Sequence, residues 1–429
     1  MDNHQQPTPV VVHARLGVGT RYGQAVSAPH GDVARSPVIM REINARRVFQ
    51  VICDASAGTS LTQVVADTSL SKPTVSLAFA HLEKRGLIRV AGTRTGQAGP
   101  SPRLFALRPE AAWVVVVDIG RRWVSGVAAD LSGTIKARAR ERSRRSANGL
   151  IAQIGGLVQA LLDKTGVDTA QVASLVVAIP GSYDERTGRV RHASNLLGLQ
   201  NPALVPALRE RFATHLTFEN DIDLAALGEH AYGEGRRVED FVVVSIGTGL
   251  GLGMVLGGQL HRGNHGTAGE LAFVPAIGSR HPAQPVPAAV RRRGVLESQV
   301  AADGWGEAAR RHRVPGPATP RAVLAAARRG DRSAQAAVGE VLDHLADGLA
   351  AVIALIDPEL VVVGGGIGRQ LGPHLAAVQS RVGELVPLTQ PRFAISRLGD
   401  DATLFGGLAS GLTTARELVL LPSWTARRG

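Results

Sequence analysis

Two glycine-rich turns, each at the end of an apolar run, are the segments of this chain best suited to approach a phosphate group. Residues 114–117 are four valines that lead into Asp118-Ile119-Gly120, and residues 241–246 lead into Gly247-Thr248-Gly249. Such apolar runs are typical of buried strands, and glycines let backbone N–H groups approach a phosphate closely. Tight hairpins show the same pattern, so both interpretations stay open for each turn.

Another segment, residues 71–76, presents polar side chains at the start of a predicted helix. Ser71 is a suitable N-cap, and Pro73 is tolerated in the first turn, where N–H groups lack helical partners. Three apolar residues recur at i, i+4 and i+7 and are expected to face a core: Val75, Phe79 and Leu82. The polar residues left near the exposed N-terminal turn, which enters the major groove in a DNA-recognition helix, are Lys72, Thr74 and Ser76.

Two helical patterns precede this segment, and a hairpin pattern follows it. The first helix, starting near Pro37, is expected to bury Val38, Ile39, Ile43, Val48 and Ile52. A second helix carries Leu61, Val64 and Val65 and ends near Thr68-Ser69.

After Gly86, a strand from residue 87, a tip at 92–99 and a returning strand at 104–107 complete a winged helix-turn-helix over residues 38–108. The residues flanking the wing, which could contact phosphates or the minor groove, are Arg94 and Arg103. The alternative interpretation is a small helical dimerisation module with an incidental hairpin.

Composition favours an ordered, cytoplasmic protein with a polyanionic partner. The net charge is +12, and residues 1–110 hold 13 Lys and Arg against 7 Asp and Glu, so +6 lies in a quarter of the chain. Cys53 is the only cysteine, which excludes an internal disulfide framework. No apolar run reaches the roughly 18 residues of a membrane span. Residues 1–37 lack periodicity and are expected to form a flexible arm.

After Pro109, strand and helix patterns alternate, which predicts an α/β architecture. This region (the body), together with the winged helix-turn-helix predicted for residues 38–108 (the head), resembles the ROK family (repressors, open reading frames and sugar kinases), in its repressor branch. The resemblance covers about residues 40–415. Its ordered motifs are Asp118-Ile119-Gly120, Pro180-Gly181, Glu219-Asn220-Asp221, residues 247–251, Gly269-Glu270, Leu296-Glu297 and residues 363–367.

The resemblance implies a two-lobed, actin-like or ribonuclease H-like sugar-kinase fold over residues 112–429, with a winged helix-turn-helix in front of it. The expected lobes are about 112–235 and 236–405, with a C-terminal helix that returns to the first lobe. In kinases of the family, the Asp of the Asn-Asp pair accepts the proton of the attacking sugar hydroxyl, and a carboxylate can also bind a sugar without reacting. The residues implied to bind sugar are Asn195, Asn220, Asp221, Glu270 and Glu297. Each of these could instead cap a helix or bridge the lobes.

Three departures argue against phosphoryl transfer. Arg121-Arg122-Trp123 stands where the family has small residues and a Thr or Lys that hold ATP phosphates, and bulky side chains there should crowd a phosphate, although the arginines could attract an anion. Phe273 replaces a histidine that contacts sugar and metal. The family's zinc-binding cysteines correspond to Ala288, Val290 and Val295, so no metal is expected. Gly247, Thr248 and Gly249 are then a vestigial phosphate loop.

These features predict a DNA-binding regulator, with a repressor favoured over an activator, whose body binds a sugar or sugar-derivative effector. Lys72, Thr74, Ser76 and Arg94 are expected to contact a double-stranded operator. No cofactor and no membrane partner are expected, and operator recognition by paired heads calls for a homodimer or homotetramer. The alternatives are an active ATP-dependent sugar kinase with an attached DNA-binding head, and a DNA-binding protein whose body senses no ligand.

Overall fold

The structure is a computed structural model that describes residues 37–55, 57–93, 103–144, 146–184, 186–191, 193, 196–274, 287–388 and 390–426. The arm predicted for residues 1–37 therefore lies outside the described residues except for its last position. Arg94, most of the predicted wing tip and Asn195 also lie outside them. None of the helices within the described ranges is long and apolar enough to cross a lipid bilayer.

The N-terminal unit consists of three helices and a three-stranded antiparallel sheet. Ser60 and Ser71 cap the second and third helices by accepting hydrogen bonds from the N–H groups of Gln63 and Thr74, at 3.2 and 3.3 Å. The sheet has the order β1-β3-β2. The elements are α1 (Pro37–Asp54), β1 (Thr59–Ser60), α2 (Leu61–Thr68), α3 (Lys72–Lys84), β2 (Ile88–Thr93) and β3 (Arg103–Leu107).

The core of this unit contains most of the residues predicted for it. Val75, Phe79 and Leu82 are buried, and the Phe79 ring packs edge-on against Phe105 with centroids 4.6 Å apart. The prediction for Ile43 is wrong, because 47% of this residue is exposed. It lies in the N-terminal half of α1, and the buried face of that helix is formed by residues further along it, from residue 45 to residue 52.

The body contains two five-stranded sheets of the same design, each with a three-stranded antiparallel meander extended by two parallel strands. The orders are β10-β7-β4-β5-β6 and β13-β12-β11-β14-β15. Strands β4 and β7 are buried on both faces, which explains their nearly continuous apolar sequences. The strands are β4 (Trp113–Ile119), β5 (Trp123–Asp130), β6 (Ile135–Arg142), β7 (Val172–Ile179), the short ribbon β8 (Ser182–Asp184) and β9 (Arg189–Arg191), β10 (His215–Asn220), β11 (Phe241–Ile246), β12 (Leu250–Leu256), β13 (Gln259–Leu260), β14 (Leu360–Gly364) and β15 (Arg392–Ile395).

Helices cover the sheets and fill the space between them. The outer face of the first sheet packs against α4 (Ala147–Thr165) and α5 (Leu204–Arg211), and its inner face packs against α14 (Ala402–Leu418). The second sheet packs against α6 (Asp221–Tyr232) on one face and against a group of helices that includes α11 (Arg332–Ile356) on the other. The remaining helices are α7 (Ala288–Arg293), α8 (Val295–Val300), α9 (Ala302–Arg311), α10 (Pro320–Arg328), α12 (Gly365–Gly368), α13 (Leu375–Leu385) and α15 (Pro422–Ala426).

Helices α6 and α14 cross at backbone contact between the two sheets. A Cβ atom on Gly406 would lie 1.6 Å from the carbonyl oxygen of Leu224, and one on Gly228 would lie 2.3 Å from the carbonyl oxygen of Ala402. Gly253 of β12 lets the second sheet approach α6 in the same way, since its Cβ would lie 2.6 Å from the Ile222 carbonyl. Glycine at these positions therefore sets the distance between the lobes, and the role of Gly253 is to allow β12 to pack against α6.

The N-terminal unit is packed onto the body. One continuous apolar core includes Val75 of α3, Val114 of β4 and Leu412 of α14. Arg85, which ends α3, donates hydrogen bonds from Nη2 to the carbonyl oxygens of Val419 (2.9 Å) and Leu421 (2.7 Å), just beyond α14. The third helix and α14 are thus joined by shared burial and by hydrogen bonds.

Substitution of Gly406 by Ala should strongly destabilise the protein, because the new methyl group collides with backbone that cannot rotate away. We expect a loss of about 3 kcal/mol or more in the free energy of unfolding, measured by urea denaturation. Gly339→Ala in α11 is the matched control, since a Cβ there meets nothing within 4 Å. That control should be neutral or stabilising by up to about 1 kcal/mol. Equal effects of the two substitutions would contradict the close crossing.

Candidate functional site

A cleft of about 960 Å³ opens between the lobes at the ends of the central strands. The first lobe contributes the β4–β5 turn and the start of α6. The second lobe contributes the β11–β12 turn, the segment 266–273 and the end of α7. The predicted residues that line it are Asn220, Asp221, Gly247, Thr248, Gly249, Glu270, Phe273 and Glu297, together with Arg121 and Arg122.

Asn220 holds the start of α6 in the cleft. Its Oδ1 accepts hydrogen bonds from the N–H groups of Ile222 (2.9 Å) and Asp223 (3.3 Å). Its Nδ2 donates to the carbonyl oxygen of Gly181 at 3.0 Å. The amide therefore caps the helix and ties it to the turn after β7, and it presents the neighbouring carboxylate of Asp221 to the cleft.

Three carboxyl groups near this helix start have raised pKa values, with burial as the largest cause in each case. Burial and the nearby Asp221 raise the pKa of Asp118 to about 7. Burial raises the pKa of Asp221 to about 6, and Glu270 adds to the shift. Burial and Glu219 raise the pKa of Asp223 to about 8. The folded protein thus holds these protons more tightly than the unfolded chain, so this cluster costs stability increasingly as the pH rises from about 4 to 8.

The segment that carries Glu270 is held against the first lobe by an ion pair. Arg262 donates from Nε (2.9 Å) and Nη2 (2.5 Å) to Oε2 of Glu219 on β10. The Arg262 carbonyl accepts a hydrogen bond from the Ala268 N–H at 3.1 Å, which closes the loop. Gly269 has φ +85°, and a Cβ there would lie 2.1 Å from the Leu252 carbonyl oxygen. These contacts place Glu270 at the wall of the cleft.

Glu297 is buried beneath the β11–β12 turn, and both of its carboxylate oxygens have protein partners. Oε2 accepts a hydrogen bond from the Leu250 N–H at 3.0 Å, and Oε1 accepts one from Arg293 Nε at 3.1 Å. The same guanidinium group pairs with Asp303 and donates to the Thr248 carbonyl oxygen at 3.3 Å. Arg293 thus joins α7, α8, α9 and the glycine turn.

The region where the family has zinc ligands cannot hold zinc through the corresponding residues. Ala288 and Val290 lie in α7, and Val295 begins α8, and none of the three side chains has a donor atom. Within the described residues, no group of three or more His, Cys, Asp or Glu side chains is placed to hold a metal ion. Between α7 and the glycine turn, Arg293 supplies a link that needs no metal.

The two glycine turns differ in their surroundings. The Gly247 N–H donates to the Gly249 carbonyl at 2.9 Å, and the Gly247 carbonyl accepts a hydrogen bond from the Ala302 N–H at 3.0 Å. In the β4–β5 turn, Arg121 and Arg122 line the cleft as expected. The expectation that Trp123 would crowd a phosphate is not supported, because its ring packs against the guanidinium groups of Arg140 and Arg142, at 4.7 and 5.2 Å.

The second candidate site is the start of α3 in the N-terminal unit. Lys72 and Ser76 are exposed, whereas Thr74 is half-buried and its hydroxyl group lies 2.7 Å from the Ser71 hydroxyl. Leu77 on the same helix is 68% exposed, a feature that helical periodicity alone did not single out. An exposed apolar side chain beside polar ones on one helix face suits contact with thymine methyl groups.

The sequence interpretation missed the residues that support the cleft. Asp223, Arg262 and Arg293 were not singled out, and Glu219 was named only as part of a motif, without a role. Only the spacing of Arg293 and Glu297, four residues apart across two short helices, was a local signal that could have identified one of these contacts.

Substitution of Arg293 by Gln should loosen the β11–β12 turn, because the buried Glu297 carboxylate then loses its charged partner. We expect a loss of about 1–3 kcal/mol in stability and faster amide hydrogen exchange in a peptide spanning residues 247–256. The exposed Arg291 in the same helix provides the matched control, Arg291→Gln. If exchange in this peptide is equally fast in both variants, Arg293 does not hold the turn.

The sequence profile of the ROK family matches residues 114–411. A xylose repressor of Caldicellulosiruptor bescii is 22% identical over 393 residues, which are 86% of this chain and 96% of that protein. A glucokinase of Halalkalibacterium halodurans is 25% identical over 314 residues, which are 69% of this chain and 93% of that protein.

One solved structure is similar in fold to most of this chain. It is the crystal structure of a ROK family transcriptional regulator, a homologue of the Escherichia coli MLC protein, and it matches with a TM-score of 0.73 at 21% identity. The match covers 90% of this chain and 99% of that one, and at this identity it establishes the fold alone. Since the family profile spans well over half of the sequence, the chain belongs to the ROK family.

Proposed function

We propose that this protein is a sequence-specific DNA-binding transcriptional regulator, a repressor, whose cleft binds a sugar that lowers its affinity for the operator. Lys72 and Ser76 contact base edges or phosphates in the major groove, with Thr74 holding the helix start and Arg94 helping at the wing. Paired heads on a homodimer or a higher homo-oligomer read two half-sites.

The observation that carries this proposal is the physical link from the cleft to α3. Thr403, at the start of α14, lines the cleft and donates from Oγ1 to the Asp221 carbonyl oxygen at 3.2 Å. Beyond the other end of α14, the Val419 and Leu421 carbonyl oxygens accept hydrogen bonds from Arg85. A helix of 17 residues spans about 25 Å. Closure of the lobes on a ligand would move the start of α14. Because the head packs against the other end of this helix, the head would move with it.

In the cleft, sugar hydroxyl groups would donate to the carboxylates of Asp221 and Glu270. Asn220 and Glu297 already have protein partners for their side-chain atoms, so their contribution is to position the α6 start and the glycine turn. Any direct contact with sugar would use the second hydrogen of the Asn220 Nδ2 or the remaining lone pairs of the Glu297 carboxylate. Asn195, outside the described residues, remains a candidate ligand of the same sugar.

The DNA-binding part of the proposal predicts that Lys72→Ala weakens operator binding by about 10-fold or more, because an exposed cation at the start of α3 is lost. The measurement is fluorescence anisotropy with full-length protein and a duplex selected by this protein from a random library. Lys84→Ala, at the other end of the same helix and also exposed, should change the affinity less than twofold. Failure to enrich any sequence, or equal effects of both variants, would contradict the assignment.

The sugar-binding part predicts a pH dependence. Since burial raises the pKa of Asp221 to about 6, this carboxyl group is protonated below pH 6 and becomes a stronger, charged acceptor above it. Affinity for a neutral monosaccharide should therefore increase as the pH rises from 5 to 7.5. Asp221→Asn should weaken binding about 10-fold or more and flatten the pH profile. Calorimetry with glucose, N-acetylglucosamine and xylose provides the measurement.

The control and the competing function are tested with the same proteins. Asp163→Asn, on the outer helix α4, should retain wild-type affinity and pH dependence. Asp118, with a pKa of about 7, titrates in the same range and is itself shifted by Asp221, so the difference between wild type and Asp221→Asn contains both the charge of Asp221 and its effect on Asp118. The competing function is a sugar kinase, and the sequence relatives of this chain include a glucokinase. If the wild type turns over ATP with any of these sugars and Asp221→Asn does not, the kinase replaces the regulator as the proposed function.

A further inference from the structure

The exposed face of α3 carries an apolar strip. The strip consists of three exposed residues at i, i+4 and i+7, namely Pro73, Leu77 and Ala80. The buried residues Val75, Phe79 and Leu82 have the same spacing, displaced by two positions along the helix. Two positions correspond to a rotation of about 200° around an α-helix. The apolar strip therefore lies opposite the core, near the middle of the surface that α3 presents to solvent.

Leu77 supplies most of the apolar surface of this strip. It is 68% exposed, more than any other large apolar side chain in the described part of the N-terminal unit. A single exposed leucine is common on protein surfaces, so its position has to decide its meaning. Leu77 lies in the N-terminal half of α3, six residues after the N-cap Ser71. In a recognition helix, this is the part that meets base edges in the major groove.

The charges around the strip favour an anionic partner. Lys72 is exposed immediately before it, and the single acidic residue of α3, Glu83, lies in the last turn. Arg89 and Arg103 are exposed on β2 and β3, the strands of the wing. A second copy of the same surface would bring like charges together. Duplex DNA instead offers phosphates to the cations and base edges to the strip.

The composition of α3 narrows which base edge the strip can read. The helix contains no Arg, which binds guanine through paired hydrogen bonds, and no Asn or Gln, which bind adenine in the same way. Leu77 itself can neither donate nor accept a hydrogen bond. In the major groove, the apolar group that distinguishes one base from the others is the C5-methyl group of thymine. A leucine on the groove side of α3 is therefore matched to thymine.

We propose that Leu77 is a specificity-determining residue that reads thymine, with its side chain against the C5-methyl group of one thymine in each operator half-site. Pro73 and Ala80 extend the apolar surface on either side of it. This inference rests on the proposed function, in which α3 enters the major groove. Contact of this kind removes the methyl group and the leucine side chain from water together, so each should lose its value when the other is absent.

The test removes the methyl group and nothing else. The duplex that the full-length protein selects from a random library is resynthesised with deoxyuridine in place of thymine, one position of one half-site at a time. Deoxyuridine keeps every hydrogen-bonding group of thymine and lacks the C5-methyl group. By fluorescence anisotropy, we expect one position at which the wild type binds about fourfold more weakly, the factor expected for one buried methyl group.

The variant Leu77→Ala completes a double-mutant cycle with this base change. It should bind the thymine duplex about fourfold or more weakly than the wild type, and it should bind the thymine and deoxyuridine duplexes equally. Its thermal unfolding should match that of the wild type, because Leu77 is exposed. Leu355→Ala is the matched control, since this leucine of α11 is 84% exposed and lies in the second lobe. It should keep both the wild-type affinity and the wild-type loss on deoxyuridine.

Each failure has a separate meaning. If no thymine position is sensitive to deoxyuridine, or if Leu77→Ala is as sensitive as the wild type, this inference is overturned and the DNA-binding function stands. Full operator affinity in Leu77→Ala overturns it in the same way. A change in oligomeric state in Leu77→Ala, measured by sedimentation, assigns the leucine to contact with a second copy and also overturns it. Failure of the wild type to enrich any sequence rejects this inference together with the DNA-binding function.

Discussion

The contact between the backbones of α6 and α14 is the constraint on which the rest of the molecule depends. Gly228 and Gly406 allow these helices to touch, and each helix is also the inner layer of one sheet. The start of α6 carries Asp221 into the cleft, and α14 runs from the cleft to the N-terminal unit. A change in the angle between the lobes therefore cannot leave α14 unaffected, and α14 shares its core with α3.

The cleft combines groups that hold its walls with groups that remain available to a ligand. Asn220, Glu297 and Arg293 are committed to capping and bridging, while Asp221 and the two arginines of the β4–β5 tip face the cleft. The relatives of this chain include both a repressor and a glucokinase, and this division would allow the groups at the surface of such a cleft to differ while the cleft keeps its shape. Shape is maintained by hydrogen bonds behind the wall, and the groups at its surface determine which ligand fits.

Local patterns were enough to predict the features that depend on neighbouring residues. Ser71 and Pro73 define the start of α3, and the valine runs define the central strands, because capping and strand burial are short-range properties. The Glu219–Arg262 pair joins residues 43 positions apart, and only the fold brings them together. Helical spacing alone placed Ile43 in the core, whereas 47% of this residue is exposed. Trp123 was misjudged because its packing partners lie on another strand.

Through α14, the cleft is joined to α3, the helix that we propose binds the operator. The most direct test is the operator affinity of the full chain, measured by anisotropy with and without a saturating concentration of the sugar that binds best. The account predicts that the ligand weakens operator binding by about 5–150-fold, the usual range for coupled sites. Identical affinities with the cleft empty and filled would contradict it.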